Sequence, residues 1–285
     1  MAAMKCVQGH GLVKVSRANP KSRRPQRRLF SLTCLAAGAF TLSAHGGGMP
    51  PCLPPVVGAA LVKDVKEQGV LSLNDRRTAK LEGLVWPAPD RYDPQDPGSA
   101  RSTAALVNLA TGHRIVIRIR APRLDRYGRL RAQALLEDGR WLQREILRRG
   151  LARASIAPDR PECARELYAA EAEARRASAG LWANPKYQIR EPQELRWQDL
   201  GSFQIVEGKV VNVRVSGGRA YLNFGRNWRT DFTVTIAPED MKRLNAANID
   251  PYRYAGKRVR ARGWIDRLHG FEIEAASPEA LEILN

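Results

Sequence analysis

The pattern that most limits the fold is a succession of short runs with strand character, cut apart by turn signals and set in two arrays on either side of a polar linker. In the run from His113 to Ile119, apolar Ile115, Ile117 and Ile119 alternate with Arg114 and Arg118 around Val116, the period of a half-buried strand. The first array places strands at Val57–Lys66, Val70–Leu73 and Thr78–Val85, with Asn74-Asp75 turning between the second and the third. A Pro-rich and Asp-rich loop from Trp86 to Gly98 leads into a helix over Ser99–Ala110, for which Ser99 is the expected cap. After the 113–119 strand come a strand over Ala132–Leu136 ending in Asp138-Gly139, then helices over Trp141–Arg149 and Cys163–Ala179, the second stopped by Gly180.

A linker with polar residues and Pro192 runs from 187 to 198, and the second array follows. It reads as a long strand Phe203–Val215, a Gly217-Gly218 turn, strands Ala220–Phe224 and Asp231–Ile236, a helix opened by Ala237-Pro238-Glu239-Asp240, and strands Lys257–Ile265 and Phe271–Glu274. Three strands, a helix and two strands is the order of an OB-fold barrel, though another small β-barrel or roll with a helical plug fits the same order. The expected class is therefore mainly β with α, an α+β chain. Its 44% apolar content is enough for real cores.

Ahead of the arrays, residues 1–44 have a different character. Lys5, Lys14, Arg17, Lys21, Arg23, Arg24, Arg27 and Arg28 precede residue 45 with no acid among them, and an apolar run from Leu29 to Ala44 follows. A basic cluster before a short apolar run that ends in small residues reads as an export signal, cleaved near Ala44, and Arg27-Arg28 also allows the twin-arginine route. The run is short for a ~30 Å hydrocarbon core; the other reading is an uncleaved tether. Expected location is periplasmic or secreted, with 45–56 as a Pro/Gly-rich linker.

Export leaves Cys52 and Cys163 as the two cysteines of the mature chain. Paired, they close a loop of roughly 110 residues, worth about 4–5 kcal/mol in the chain-entropy model; two buried or unpaired thiols is the alternative. Neither has a second Cys or a His at ligand spacing, so no metal site is read here. The formal charge of +18 falls to +10 without the first 44 residues, an excess that still favours an anionic partner.

One set of motifs is more specific. Leu124-Asp125-Arg126-Tyr127-Gly128-Arg129, Gln133-Ala134-Leu135-Leu136, Asp138-Gly139, Gly150-Leu151-Ala152-Arg153-Ala154, and a late helix with Glu171, Glu173, Ala174 and Arg175 ending at Gly180-Leu181-Trp182 occur in that order. In order and spacing they resemble the thermonuclease-like (staphylococcal-nuclease-like) family, with a weaker extension back to residue 57. The resemblance implies a five-stranded OB barrel with packed helices over 57–186, and the element order of the second array gives the OB-like domain over 199–285. The resemblance also implies calcium-assisted hydrolysis of DNA or RNA, in which carboxylates hold the ion, a glutamate handles water and two arginines neutralise developing charge.

On that resemblance Arg129 falls on one catalytic arginine, whose fork can grip two phosphate oxygens; a turn-closing surface arginine is the plainer reading. The stretch Lys80-Leu81-Glu82-Gly83-Leu84-Val85-Trp86-Pro87-Ala88 stands where the family has its other arginine and its acids. Lys80 keeps the charge without the fork, Val85 replaces a metal-binding Asp, and Ala88 replaces the water-handling Glu. Gly69, within Glu67-Gln68-Gly69-Val70, stands at another ligand position. Hard cations need oxygen ligands, so calcium is expected only if the site works in another form. Two such forms are a relocated site on Asp90, Asp93 and Asp96, or a slipped alignment in which Glu67 or Glu82 supplies a carboxylate.

In the second array, Tyr221, Arg226, Trp228 and Arg229 are expected to meet a ligand together with Arg126 and Tyr127 of the first, through stacking and positive charge. Trp228 packed over the barrel end or against the first domain is the alternative. Lys257, Arg258, Arg260 and Arg262 add charge on a later strand, which also fits a soluble sheet edge. The functional expectation is an exported thermonuclease-like protein with a degraded catalytic site that binds nucleic acid or another polyanion. An active calcium-dependent nuclease and an envelope-associated module for a protein partner are the other readings, and enzyme activity is left uncertain.

Overall fold

The computed structural model describes residues 50–88 and 97–284. The export-signal reading of 1–44 and the acids Asp90, Asp93 and Asp96 lie outside the described residues. Residues 46–285 form one compact unit, and no helix among the described residues is long and apolar enough to cross a membrane.

The first half contains β1 (Val56–Lys66), β2 (Val70–Leu73), β3 (Thr78–Leu81), β4 (Leu84–Val85), α1 (Gly98–Ala110), β5 (Arg114–Arg118), β6 (Leu130–Leu136), α2 (Leu142–Arg148), β7 (Arg153–Ala154) and α3 (Ala164–Arg176). Strands β1-β2-β3-β6-β5 close into a barrel, with β3 parallel to β6 and β5 returning antiparallel to β1. The class is α+β, with the barrel order of an OB fold. Alternation explains the core: Ile115, Ile117, Leu71 and Leu81 point inward, and Leu106 of α1 and Leu142 and Ile146 of α2 join the same cluster. A disulfide joins Cys52 to Cys163, Cα to Cα 5.3 Å, tying the segment before β1 to the start of α3.

The second half contains β8 (Phe203–Lys209), β9 (Asn212–Ser216), β10 (Arg219–Asn223), β11 (Thr233–Ile236), α4 (Pro238–Ala246), β12 (Arg258–Arg267), β13 (Phe271–Glu274) and β14 (Leu281–Leu284). The sheet order is β14-β12-β13-β11-β10-β9, with β8 along the other side of β12. If β8 and β9 are followed as one path, the neighbour order repeats that of the first barrel, including a parallel third-to-fifth pairing, here β11 with β13.

Several boundaries differ from the sequence reading. Thr78–Val85 is two strands, because Glu82 and Gly83 turn the chain and β4 pairs with β7. The run from Phe203 to Val215 breaks after Lys209, and β14 has no counterpart in the reading. Helix α1 starts at Gly98 after Pro97, with no side-chain cap from Ser99. Helix α3 ends at Arg176, and Gly180 instead permits a close approach. A Cβ on it would lie 2.4 Å from the Gly150 carbonyl oxygen, and one on Gly150 would lie 2.0 Å from that of Ala179. The two glycines let the ends of α2 and α3 meet backbone to backbone, with Leu181 N–H donating to Gly150 O at 2.8 Å.

The seam between the two halves is packed and charged. Ala174, Trp182, Phe203 and Ile205 form a buried cluster against Val85, Ala179 and Ile189. Glu171 of α3, fully buried, accepts from Ala154 N–H at 2.8 Å and from Arg262 Nη1 of β12 at 2.6 Å. Arg262 also donates through Nε to Glu282 at 3.0 Å and lies 4.1 Å over the Tyr168 ring, while the Tyr168 hydroxyl donates to Glu279 O at 2.7 Å. Burial pushes the Tyr168 hydroxyl pKa upward, so it stays a donor. Residues 187–198 are not a bare tether: Arg190 exchanges backbone hydrogen bonds with Ile205 and Glu207, and Leu195 is buried.

Candidate nucleic-acid interface

The turn between β5 and β6 is built around one carboxylate. Asp125 accepts from the N–H groups of Tyr127 and Arg129 at 2.9 and 3.0 Å and from Arg129 Nε at 2.7 Å. Burial works to raise the Asp125 pKa, but these hydrogen bonds and the Arg129 charge outweigh it and hold the carboxyl below its ordinary value. Gly128 takes φ +73°, which closes the turn. Tyr127 projects 64% exposed, with the guanidinium carbons of Arg126 and Arg129 each 4.8 Å from its ring centre.

This turn and the adjacent β3–β6 pair border an open groove of about 460 Å³, lined by Lys80, Glu82, Asp125, Arg126, Tyr127, Arg129 and Arg131 among others. Lys80 is exposed beside Arg131 in the parallel register. Four of the positions expected from sequence, Lys80, Arg126, Tyr127 and Arg129, therefore share one surface.

The acids of that surface are taken by arginines. Arg131 donates to Glu82 at 3.0 Å and to Asp159 at 2.6 Å, and Arg160 lies 3.8 Å from Glu82. The hydrogen bond to Asp159 and then that to Glu82 push the Arg131 pKa up, while Arg131 pulls Asp159 down. Glu82 is buried, so its slipped-alignment role would require breaking this pairing. Among the described residues no three or more His, Cys, Asp or Glu side chains converge to hold a metal.

The positions that resemblance assigns to metal and water point elsewhere. Val85 packs against the buried seam cluster, and Val85 and Ala88 line a separate cleft. Gly69 lies under Trp86: a Cβ there would fall 2.0 Å from the indole, so no carboxylate fits without moving that ring. A calcium ion therefore finds no fitting donor set at these positions.

Comparison with known families bears on residues 88–184, which match the family model described as staphylococcal nuclease homologue. The chain carries a staphylococcal-nuclease-like domain. The matched segment covers roughly a third of the chain and starts after β1 to β4, yet those strands complete the barrel that the nuclease-like domain needs. No curated protein matches the chain.

Away from this domain, Tyr221 and Trp228 line a second groove of about 370 Å³ with Asn212, Arg214, Asn223 and Glu272. Trp228 is 47% exposed; it meets His269 edge-on at 5.0 Å, and Arg229 lies 4.6 Å over its ring. It thus packs on a turn of its own sheet, not against the nuclease-like domain. Arg226 is exposed in the same loop. The reading of Arg258, Arg260 and Arg262 as a charged sheet edge is corrected: β12 has neighbours on both sides, Arg260 donates to Glu207 at 2.6 Å, and Arg262 is buried.

Sequence reasoning missed Arg153, Glu171 and Arg262 as a working group. The available signal was an arginine inside the apolar string Leu151-Ala152-Arg153-Ala154, which buries a charge wherever that string is core.

Proposed function

We propose that this nuclease-family domain binds nucleic acid without cutting it, in an exported protein whose second half is an OB-like barrel with a ligand face of its own. The observation that carries the reading is the groove in which Lys80, Arg126 and Arg129 surround exposed Tyr127 while Glu82, Asp125 and Asp159 are each engaged by an arginine. Cations aimed at phosphate and a ring open to a base are what single-strand binding needs. Hydrolysis needs in addition a metal or base, and among the described residues the carboxylates at the groove are paired with arginines. Tyr221, Trp228, Arg226 and Arg229 extend the same chemistry to the second half. The basic cluster and apolar run before residue 45 support export to the periplasm or beyond.

The test is to titrate the full chain with fluorescent single-stranded DNA and RNA over a salt series, and to incubate it with both in calcium and in chelator. Salt-dependent binding without cleavage supports the reading. Calcium-dependent cleavage lost in Arg129→Ala would replace it with an active nuclease of atypical site, and absence of binding at low salt would leave a protein partner as the reading to pursue.

A further inference from the structure

A cleft apart from both grooves lies on the seam. It encloses about 770 Å³, within the ~300–1,000 Å³ usual for small-ligand sites. Trp86 and Ala88 border it from the nuclease-like domain, Arg153 from β7, Tyr187 and Arg190 from the connecting segment, and Phe203 and Trp264 from the second sheet.

Arg153 is the unusual member. It is 6% exposed, its side chain donates no hydrogen bond among the described residues, and its Nη1 is buried without a partner there. Its guanidinium lies between the rings of Tyr187 and Phe203, 5.4 and 5.2 Å from their centres. The carboxylate that would neutralise it, Glu171, already gives one oxygen to Ala154 N–H and the other to Arg262. Burial depresses the Arg153 pKa to about 10, with Glu171 pulling the other way, so the group is still charged at neutral pH.

A second arginine, Arg190, is half-buried and only loosely paired. Arg190 Nε is buried without a partner, and its Nη2 reaches Asp199 only at 4.0 Å, where Asp199 accepts the Arg196 N–H at 2.7 Å. A buried cation short of counter-charge is costly, and an oxyanion in the cleft would offset that cost for Arg153 and give half-buried Arg190 a closer partner than Asp199. At the cleft wall Trp264 is 55% exposed, touching Phe203 edge-on at 5.9 Å and leaving a large flat apolar surface uncovered.

We propose that this cleft is a nucleotide site, in which Arg153 and Arg190 take the phosphate and Trp264 takes the base. The site deepens the nucleic-acid reading but uses none of the residues of the Lys80–Arg129 groove, so either can fail alone. Its ligand is a free mononucleotide or the terminal nucleotide of a strand, two sources of one chemistry.

Calorimetric titration of the full chain with adenosine monophosphate, inorganic phosphate, adenosine, succinate and a short single-stranded oligonucleotide with a terminal phosphate tests it. The monophosphate should bind more tightly than phosphate or adenosine, and a still tighter oligonucleotide would identify the strand end as the source. Arg153→Met should weaken both monophosphate and phosphate by about 10- to 100-fold. Trp264→Ala, at an exposed position where folding is not at stake, should weaken the monophosphate by about tenfold and leave phosphate unchanged. Lys80→Ala/Arg129→Ala should leave the monophosphate unchanged even if it abolishes binding of longer strands. The inference is overturned if the monophosphate does not bind at about 1 mM, if succinate binds as well as it does, if Trp264→Ala has no effect, or if the Lys80/Arg129 variant removes binding.

Discussion

Two regions of this molecule handle buried charge in opposite ways. In the groove of the nuclease-like domain each carboxylate meets an arginine: Glu82 and Asp159 share Arg131, and Asp125 holds Arg129. At the seam one buried carboxylate, Glu171, accepts from Ala154 N–H and, of the nearby arginines, only from Arg262, and Arg153 Nη1 is buried without a partner among the described residues. Among the described residues the groove presents cations beside carboxylates that are already paired, the arrangement on which the proposed strand binding rests. The seam has cations in excess inside a walled cleft, so what remains there is a demand for a counter-ion. Adjacent parts of one fold thus make different offers to an anion, one open and extended, the other enclosed and small.

The sharpest way to break this contrast is to remove each seam arginine in turn. Arg262→Met leaves Glu171 buried with only a backbone partner, and should cost about 3–5 kcal/mol in chemical denaturation. Arg153→Met keeps the volume, breaks no hydrogen bond and relieves an uncompensated charge, so it should be near neutral or stabilising. If both variants lose equal stability, Arg153 has a partner in solution and the excess charge at the seam does not exist.

The disulfide separates the regions by a different means. Cys52→Ala/Cys163→Ala frees the segment before β1 and the start of α3, beside Glu82 and Arg131, and should cost about 2–4 kcal/mol in thermal or denaturant unfolding. Under native conditions nucleotide binding at the seam should persist, because neither cysteine lines the cleft. Loss of seam binding together with the disulfide would mean that the two regions are mechanically coupled.

The barrel was legible in the sequence because its signals are local: alternation at Ile115, Ile117 and Ile119, and the Asn74-Asp75 and Asp138-Gly139 turns. The groove was half legible, since Lys80, Arg126, Tyr127 and Arg129 come from two short segments that parallel pairing of β3 and β6 brings side by side. What surrounds Val85 and Gly69, the seam cluster and Trp86, depends on packing that no local pattern encodes. The Glu171–Arg262 pair spans 91 positions and joins α3 to β12; in sequence Arg262 reads as one more outward arginine on a strand. Helix ends failed where capping gave way to tertiary contact, as at Gly180.

A smaller effect tests the Asp125 turn. Its carboxyl has a folded pKa below the ordinary value of 3.8, so its contribution is fully present above that value and is lost as pH falls through the lower folded one. Asp125→Asn should therefore cost about 1–2 kcal/mol at pH 7 and nearly nothing once the pH lies below the folded value, as read from denaturation midpoints. If the variant and the parent differ equally at both pH values, the carboxylate charge does not hold the turn, and Arg129 is not positioned by it.

The smallest effect per residue decides whether the groove is used at all. Each phosphate contact releases condensed counterions, so the slope of log affinity against log salt for a single strand counts the contacts at about 0.7 each. Lys80→Ala and Arg129→Ala should each flatten the slope by roughly that amount and weaken binding alike for all sequences. Tyr127→Ala should weaken binding with the slope unchanged, because stacking releases no ions. A slope that responds to Arg226 and Arg229 but not to Lys80 and Arg129 would move strand binding to the second sheet and leave the nuclease-like groove as scaffold.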